Sequence, residues 1–275
     1  MNSTYQTTNL TPTSTAKANQ LMKKATQLLF MVAVIGQLLF VAHIVSFYGS
    51  SFFTGDYEHW NKVLYNGLIE GDIIGNIALM LHLFLAAVIT FAGPLQFIPK
   101  VRSKYPVFHR WNGRIYILTA ILISLAGLYM VFVRGVIGGQ IMAMGNTLNA
   151  SLIIIFAILA WKTAVARNFT AHKRWAIRAF LVVSGVWFFR IGFGIWIAVN
   201  GGAAPGSSED LGGPFDIFLA FAHSILPLAI LELYFYAKQK DSPTIKYAMA
   251  TFLFVLSGIL GVGVLMAAMI FWMPS

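Results

Sequence analysis

The sequence has no cysteine and very few charged residues. The absence of cysteine excludes a disulfide scaffold, an iron–sulfur cluster, a covalently attached c-type haem and a zinc site with thiolate ligands. Charged residues occupy 10% of the 275 positions, against about 25% in an average soluble protein. Since 58% of the residues are hydrophobic, the composition excludes a soluble globular enzyme and predicts an all-α integral membrane protein.

Several motifs that would indicate a particular chemistry are also missing. Gly258, Gly261 and Gly263 fall inside an apolar run, where they indicate close helix contacts rather than a phosphate-binding loop. The sequence contains no H-E-x-x-H metalloprotease pair and no nicotinamide or flavin motif. Lys246 lies only at the edge of the last apolar run, so a retinal Schiff base is not expected. We therefore predict no flavin, NAD or iron–sulfur cofactor.

Apolar segments near the ~20 residues that a bilayer requires occur seven times. They lie at about 25–48, 71–98, 107–133, 146–166, 174–199, 214–236 and 247–272. They predict a seven-helix transmembrane bundle. Residues 1–20, rich in Thr, Ser, Asn and Gln, are predicted to form a disordered polar tail, and residues 21–275 a single membrane domain with its core at 71–236.

The basic residues are distributed very unevenly between the two sides of these segments. Of the 19 Lys and Arg residues, 16 fall in the N-terminal tail or in the 2–3, 4–5 and 6–7 connections, against Lys62 and Arg134 on the other side. The positive-inside rule places the N-terminus in the cytoplasm and the C-terminus outside. The net charge of +10 is thus a topology signal, and we expect the lipid bilayer, not nucleic acid, as partner.

The loop between segments 1 and 2 contains large apolar residues at helical spacing. Tyr57, Trp60, Leu64 and Leu68 recur at intervals of three or four. This pattern predicts a short helix on the outer membrane surface with those four side chains toward lipid.

Two of the basic connections carry similar sequences. Residues 109–114 read His-Arg-Trp-Asn-Gly-Arg, and residues 172–178 read His-Lys-Arg-Trp-Ala-Ile-Arg. Two imidazoles at equivalent depth, His109 and His172, are candidate axial ligands of a b-type haem. The candidate partners of its propionates are Arg110, Arg114, Arg174 and Arg178. The alternative is that Arg and Trp only anchor the helices at the membrane interface.

A second polar group lies inside the predicted bilayer. His82, His223 and Arg190 each fall about 14–16 Å from the outer end of their segments at 1.5 Å per residue. Their similar depth predicts an interior site in which His82 and His223 bind a second haem iron or another ligand. Arg190 requires an anionic partner, for which a propionate, a substrate carboxylate, Asp72 and Asp216 are candidates.

Pro227 leaves the His223 carbonyl without its helical donor. We therefore expect segment 6 to bend there, beside a cavity. Glu232, near the inner end of the same segment, is predicted either to take part in function or to pair with a cytoplasmic basic residue.

Three stretches carry a resemblance: Gly-Pro-Leu-Gln-Phe at 93–97, the 109–116 motif ending in Tyr116, and the 172–178 motif. Over about residues 70–200 the chain resembles a bacterial family of predicted membrane proteins, domain of unknown function 2306. The resemblance implies a helical fold in the bacterial inner membrane and no established activity. More distantly, the plan is similar to di-haem transmembrane b-type cytochromes, whose four His ligands lie on four consecutive helices. Here the fourth segment has no His, so a second haem would need His82 with His223.

Three functions remain open from the sequence. The first is b-type haem-dependent electron transfer in the membrane, with a quinone or small-molecule reductant as partner. The second is a cofactor-free transporter or sensor with a central His/Arg site. The third is a structural membrane protein in which these residues only hold helices together.

Overall fold

The protein, described by a computed structural model over residues 14–273, is helical throughout its regular secondary structure. Within those residues the helices are α1 (Ser14–Thr54), α2 (Glu58–Asn61), α3 (Ile73–Leu95), α4 (Pro99–Lys104), α5 (Pro106–Arg134), α6 (Gly139–Val165), α7 (Phe169–Val183), α8 (Gly185–Val199), α9 (Pro214–Gln239) and α10 (Pro243–Trp272). The all-α prediction is confirmed.

Six of these helices, α1, α3, α5, α6, α9 and α10, are long and apolar enough to cross a bilayer. The pair α7–α8 meets the same criterion only as one span, bent by 56° where the two helices meet. The protein is therefore a multi-pass membrane protein with up to seven spans, one on each predicted segment. The fifth segment, which the hydropathy pattern predicts as one continuous helix over 174–199, is a broken span.

The first helix begins at Ser14, so residues 14–20 of the predicted polar tail are helical, while residues 1–13 lie outside the described part of the chain. Ala, Lys and Gln, all good helix formers, are frequent in this stretch. Ala18 is fully buried. The polar composition predicted a tail here. Composition alone does not show whether a neighbouring helix covers a segment, and this helix buries Ala18.

The long helices form a closed cycle of neighbours, α1–α3–α5–α6–α9–α10, with α10 returning to α1. α1 and α10 run parallel, because Met22 shares a buried cluster with Ala250 at one end and Phe40 shares one with Val264 farther along. The broken span packs against α6, α9 and α10. We call the end of the bundle that holds residues 96–105 and 166–168 the basic end.

Trp60, in the loop before α3, packs against the protein. Trp60, predicted to face lipid, is only 3% exposed and packs edge-on against Tyr48 and Tyr57, with ring centroids 5.6 and 5.9 Å apart. The helix around it, α2, has only four residues. The prediction of lipid exposure for Trp60 is wrong because helical spacing cannot distinguish a face turned to lipid from one turned to aromatic side chains.

Two acidic residues at the end opposite the basic end have structural partners. Asp72 forms an ion pair with Arg134, with Oδ2 3.2 Å from Nε. Asp216 is fully buried and accepts hydrogen bonds from the Ser207 hydroxyl and the Ser208 N–H, which ties the 200–213 loop to α9.

Candidate functional site

A cavity of about 290 Å³ lies between α1, α3, α5, α6 and the break in the fifth span. Its polar lining residues are Gln37, His82, Thr90, Tyr116, Ser124, Asn146, Asn149 and Ser184. The remainder of the lining is mainly apolar, including Phe40, Phe180 and Trp187. Its volume is near the lower end of the ~300–1,000 Å³ typical of small-molecule pockets.

The lining carries no formal charge. None of the lining residues, all of which belong to the described part of the chain, is Asp, Glu, Lys or Arg. In a medium of low dielectric constant an ion without a counter-ion is strongly disfavoured. The cavity therefore suits an uncharged occupant.

The break in the fifth span is part of the cavity wall. It falls at Ser184–Gly185, a small-residue pair of the kind at which helices kink. The Asn149 amide of α6 donates to the Val182 carbonyl at 2.9 Å, and the Gln37 amide of α1 donates to the Ser184 hydroxyl at 2.9 Å. Side chains from two neighbouring helices thus satisfy polar groups at the break, which is tolerated at membrane depth only where protein or a cavity surrounds it.

Asn149 also connects the break to α9. Its amide nitrogen lies 2.7 Å from the Ser224 hydroxyl. Asn149 and Ser224 are 8% and 1% exposed. The network therefore links three helices around the break through buried, uncharged hydrogen bonds.

Three polar atoms of the cavity lining are buried and have no hydrogen-bond partner among the described residues. They are Gln37 Oε1, the Tyr116 hydroxyl and Trp187 Nε1. A buried polar group without a partner costs about 1–3 kcal/mol. Trp187 Nε1 can donate a hydrogen bond, Gln37 Oε1 can accept one, and the Tyr116 hydroxyl can do either. A ligand with a few hydrogen-bonding groups on an apolar body would satisfy them.

His82 is the imidazole that lines this cavity. Its Nδ1 lies 3.1 Å from the Ile123 carbonyl oxygen of α5. Since a carbonyl only accepts, Nδ1 carries the proton and Nε2 of the neutral ring is an acceptor. His82 therefore adds a further acceptor to an uncharged site.

The other two members of the predicted interior cluster do not line the cavity. His223 is buried, bonds through Nδ1 to the Leu219 carbonyl of its own helix at 3.0 Å, and faces the Phe189 ring. Arg190 lies against Phe40, with Cζ 5.3 Å from the ring centroid. The structure thus separates three residues of similar depth, because depth does not specify the direction in which each helix face points.

At the basic end the two similar motifs have the same local structure. Arg114 stacks over Trp111 at 4.9 Å, and Arg178 stacks over Trp175 at 4.7 Å. The contact follows from the spacing of three residues, which places both side chains on one helix face.

The arginines proposed to hold propionates have different surroundings. Arg178 also donates to Glu232 at 2.8 Å, which confirms the predicted pairing of that carboxylate with a basic residue. Arg174 lies over Phe235 at 4.7 Å. Arg110 is exposed. One of the four, Arg178, therefore already has an anionic partner, and three of the four stack on aromatic rings.

The structure does bring His109 and His172 near one another. The two rings are close enough to interact electrostatically, and Arg102 lies near His109. His172 Nδ1 donates to the Ala160 carbonyl at 2.9 Å, while His109 Nδ1 is buried with no partner in the described residues. A search of residues 14–273 finds no cluster of three or more His, Asp or Glu side chains arranged to hold a metal ion.

Sequence reasoning missed most of the cavity because it followed ionisable residues. Gln37, Asn146, Asn149 and Ser184 are uncharged polar residues inside apolar segments. The available signals were these side chains and the Ser184–Gly185 pair. The bend was instead expected at Pro227, through which α9 runs as one helix.

Comparison with curated proteins and with solved structures gave no match. The cavity-lining residues from His82 to Trp187 fall within the region of the chain that does match a protein-family model. Residues 79–209 are similar to the family described as predicted membrane protein (DUF2306).

Proposed function

We propose that this protein binds a small uncharged molecule in the cavity beside the broken span and acts as a transporter or sensor for it. The observation that carries the proposal is an uncharged cavity in which buried polar atoms of Gln37, Tyr116 and Trp187 have no protein partner. The expected setting is a bacterial inner membrane with the N-terminus in the cytoplasm.

The broken span supports transport or sensing over a purely structural role. Discontinuous helices line the binding sites of many membrane transporters, where they leave polar backbone groups at the ligand. A bundle that only held helices together would gain stability from filling this space, since empty volume forfeits packing contacts.

The uncharged lining refines the predicted site. A central site built on Arg190 would attract an anion, but Arg190 lies outside the cavity. With His82 as the lining imidazole, the ligand we propose is a neutral molecule with both donor and acceptor groups.

Selective access to one introduced thiol tests this proposal. Because the chain has no cysteine, Thr90→Cys would place a single thiol on the cavity wall. In membrane vesicles we expect a neutral methanethiosulfonate to modify it roughly tenfold faster or more than a charged methanethiosulfonate, because the uncharged lining disfavours ions.

Two controls set the scale of this measurement. Ser103→Cys, exposed at the basic end, should react with both reagents, and Ile155→Cys, 50% exposed on α6, reports a position on the outer surface of a span. Equal reaction of Thr90→Cys with charged and neutral reagents, or no reaction with either, would contradict the proposal.

Haem ligation at the basic end is a second candidate, favoured by the proximity of His109 and His172. The bond from His172 to Ala160 leaves Nε2 of that ring with a lone pair, as a metal ligand requires. Such a haem would support electron transfer with a quinone or small-molecule reductant.

An absorption spectrum separates the two candidates. If the pair binds haem b, protein purified from haem-replete cells should show a reduced-minus-oxidised haem spectrum that His172→Ala abolishes. His59→Ala, in the loop before α3, is the matched control and should leave the spectrum intact. A colourless wild-type preparation would dismiss the haem candidate and leave the cavity proposal unaffected.

A further inference from the structure

Arg190 lies in a membrane span, in a cluster of aromatic side chains at the end opposite the basic end. Its Cζ lies 5.3 Å from the centroid of Phe40, whose ring in turn lies 5.5 Å from that of Trp272. Tyr48 lies within electrostatic range of Arg190 and packs edge-on against Trp60. The guanidinium therefore lies against one ring of α1, in an aromatic cluster whose other rings come from α1, α10 and the loop before α3.

No carboxylate of the described residues lies within ion-pair distance of this guanidinium. The ion pairs within residues 14–273 are Arg134–Asp72 and Arg178–Glu232. Asp216, the other acidic residue that sequence reasoning offered as a partner, is held by Ser207 and Ser208. Both carboxylates predicted for Arg190 are thus engaged elsewhere.

The aromatic cluster that holds Arg190 contains several hydrogen-bond donors without acceptors. Toward the described residues the N–H groups of Arg190 make one long bond, 3.4 Å to the Val186 carbonyl of the same helix, although a guanidinium has five donors. The indole nitrogens of Trp60 and Trp272 are buried and have no acceptor among residues 14–273. A cation and two N–H donors without an acceptor form an environment complementary to an oxyanion.

We propose that Arg190, Trp60 and Trp272 form a binding site for the anionic headgroup of an amphiphile. The headgroup supplies phosphate or carboxylate oxygens to the guanidinium and the indole N–H groups, and its alkyl chain lies along the aromatic rings. The oxyanion neutralises a charge that is costly inside a membrane protein. The site is separate from the proposed function, because Arg190, Trp60 and Trp272 do not line the central cavity.

A lipid titration of the full chain in a non-ionic detergent tests this site. Phosphatidylglycerol should raise the thermal unfolding midpoint of the wild type, and diacylglycerol, which lacks the oxyanion, should not. Arg190→Gln should weaken the phosphatidylglycerol affinity roughly tenfold or more, because a charge-assisted hydrogen-bonding partner is lost. Trp272→Phe, which keeps the ring and removes the N–H, should weaken it to a smaller extent.

The control variant is Arg114→Gln, because Arg114 stacks on Trp111 at the basic end. Its affinity for phosphatidylglycerol should equal that of the wild type. A titration with inorganic phosphate distinguishes the source of the oxyanion. If inorganic phosphate without lipid stabilises the wild type but not Arg190→Gln, the site binds a free oxyanion. If phosphatidylglycerol stabilises the wild type and inorganic phosphate does not, the site binds a lipid headgroup.

The variants also give results that would overturn the proposal. In lipid-free detergent, Arg190→Gln should be at least as stable as the wild type, because it removes an uncompensated charge. Equal affinities of wild type and Arg190→Gln for phosphatidylglycerol, or equal stabilisation by diacylglycerol, would refute the site. If Arg190→Gln does not fold, the test uses Trp272→Phe and Trp60→Phe instead. An unchanged affinity for phosphatidylglycerol in both of these variants would also refute the proposed site.

Discussion

Replacing Arg134 with methionine is expected to destabilise the protein by about 3 kcal/mol, because a partly buried ion pair and several hydrogen bonds of about 1 kcal/mol each are lost together. The Arg134 side chain is 4% exposed and pairs with Asp72. It also donates to the carbonyl oxygens of Gly67 and Gly75, at 2.7 and 3.2 Å. The same side chain donates to Asn76 Oδ1 at 3.2 Å. Methionine retains much of the apolar stem and removes all four interactions, so the carboxylate, the two carbonyls and the amide oxygen lose a shared partner.

Thermal unfolding and limited proteolysis measure this effect. A loss of about 3 kcal/mol corresponds to a fall of roughly 6–12 °C in the unfolding midpoint for a chain of this size. Cleavage within residues 55–72 should become faster, because Arg134 fastens that loop to α3 and α5. Arg110→Met, at an exposed position, is the control. Similar midpoints for the two variants would show that the Arg134 interactions contribute little.

Replacing Asn149 with leucine is the second large effect that we expect, a loss of about 1–3 kcal/mol. Leucine has a similar volume but cannot donate to the Val182 carbonyl or the Ser224 hydroxyl. A single hydrogen bond between membrane helices contributes only about 0.6 kcal/mol on average. We expect more here because the Val182 carbonyl lies at a helix break, where it would be left without this donor.

Asn146→Leu is the matched control for that change. Asn146 lies nearly one turn earlier on α6 and lines the same cavity, but its side chain makes no hydrogen bond within residues 14–273. Its replacement should leave the unfolding midpoint near that of the wild type. A midpoint that falls equally in both variants would assign the loss to apolar substitution in the cavity and not to the break.

The spans were predictable because transfer into a bilayer depends on local composition. About 20 apolar residues in succession favour the membrane wherever they occur in the chain. The pairing of Glu232 with a basic residue was also predictable, since both lie near the same end of neighbouring spans. The Trp–Arg contacts of the two similar motifs follow from a spacing of three on a helix.

The interior site was less predictable because it depends on which way each helix face points. Similar depth grouped three residues that the structure separates. His82 lines the cavity, Arg190 lies in the aromatic cluster, and His223 faces Phe189. The partners of Asp72 and Asp216 were missed for a related reason. Asp72 itself and the serine partners of Asp216 lie in loops, whose conformation hydropathy does not describe.

The sequence by itself determined that this is an all-helical membrane protein, where its candidate spans lie and which end is basic. These properties follow from the cost of placing polar groups in hydrocarbon, which is summed over neighbouring residues. Only the tertiary structure decided that the fifth span breaks at Ser184, that uncharged side chains gather at the break, and that Arg190 lies among aromatic rings. Those features depend on how the helices rotate and pack against one another, and packing involves residues far apart in the chain.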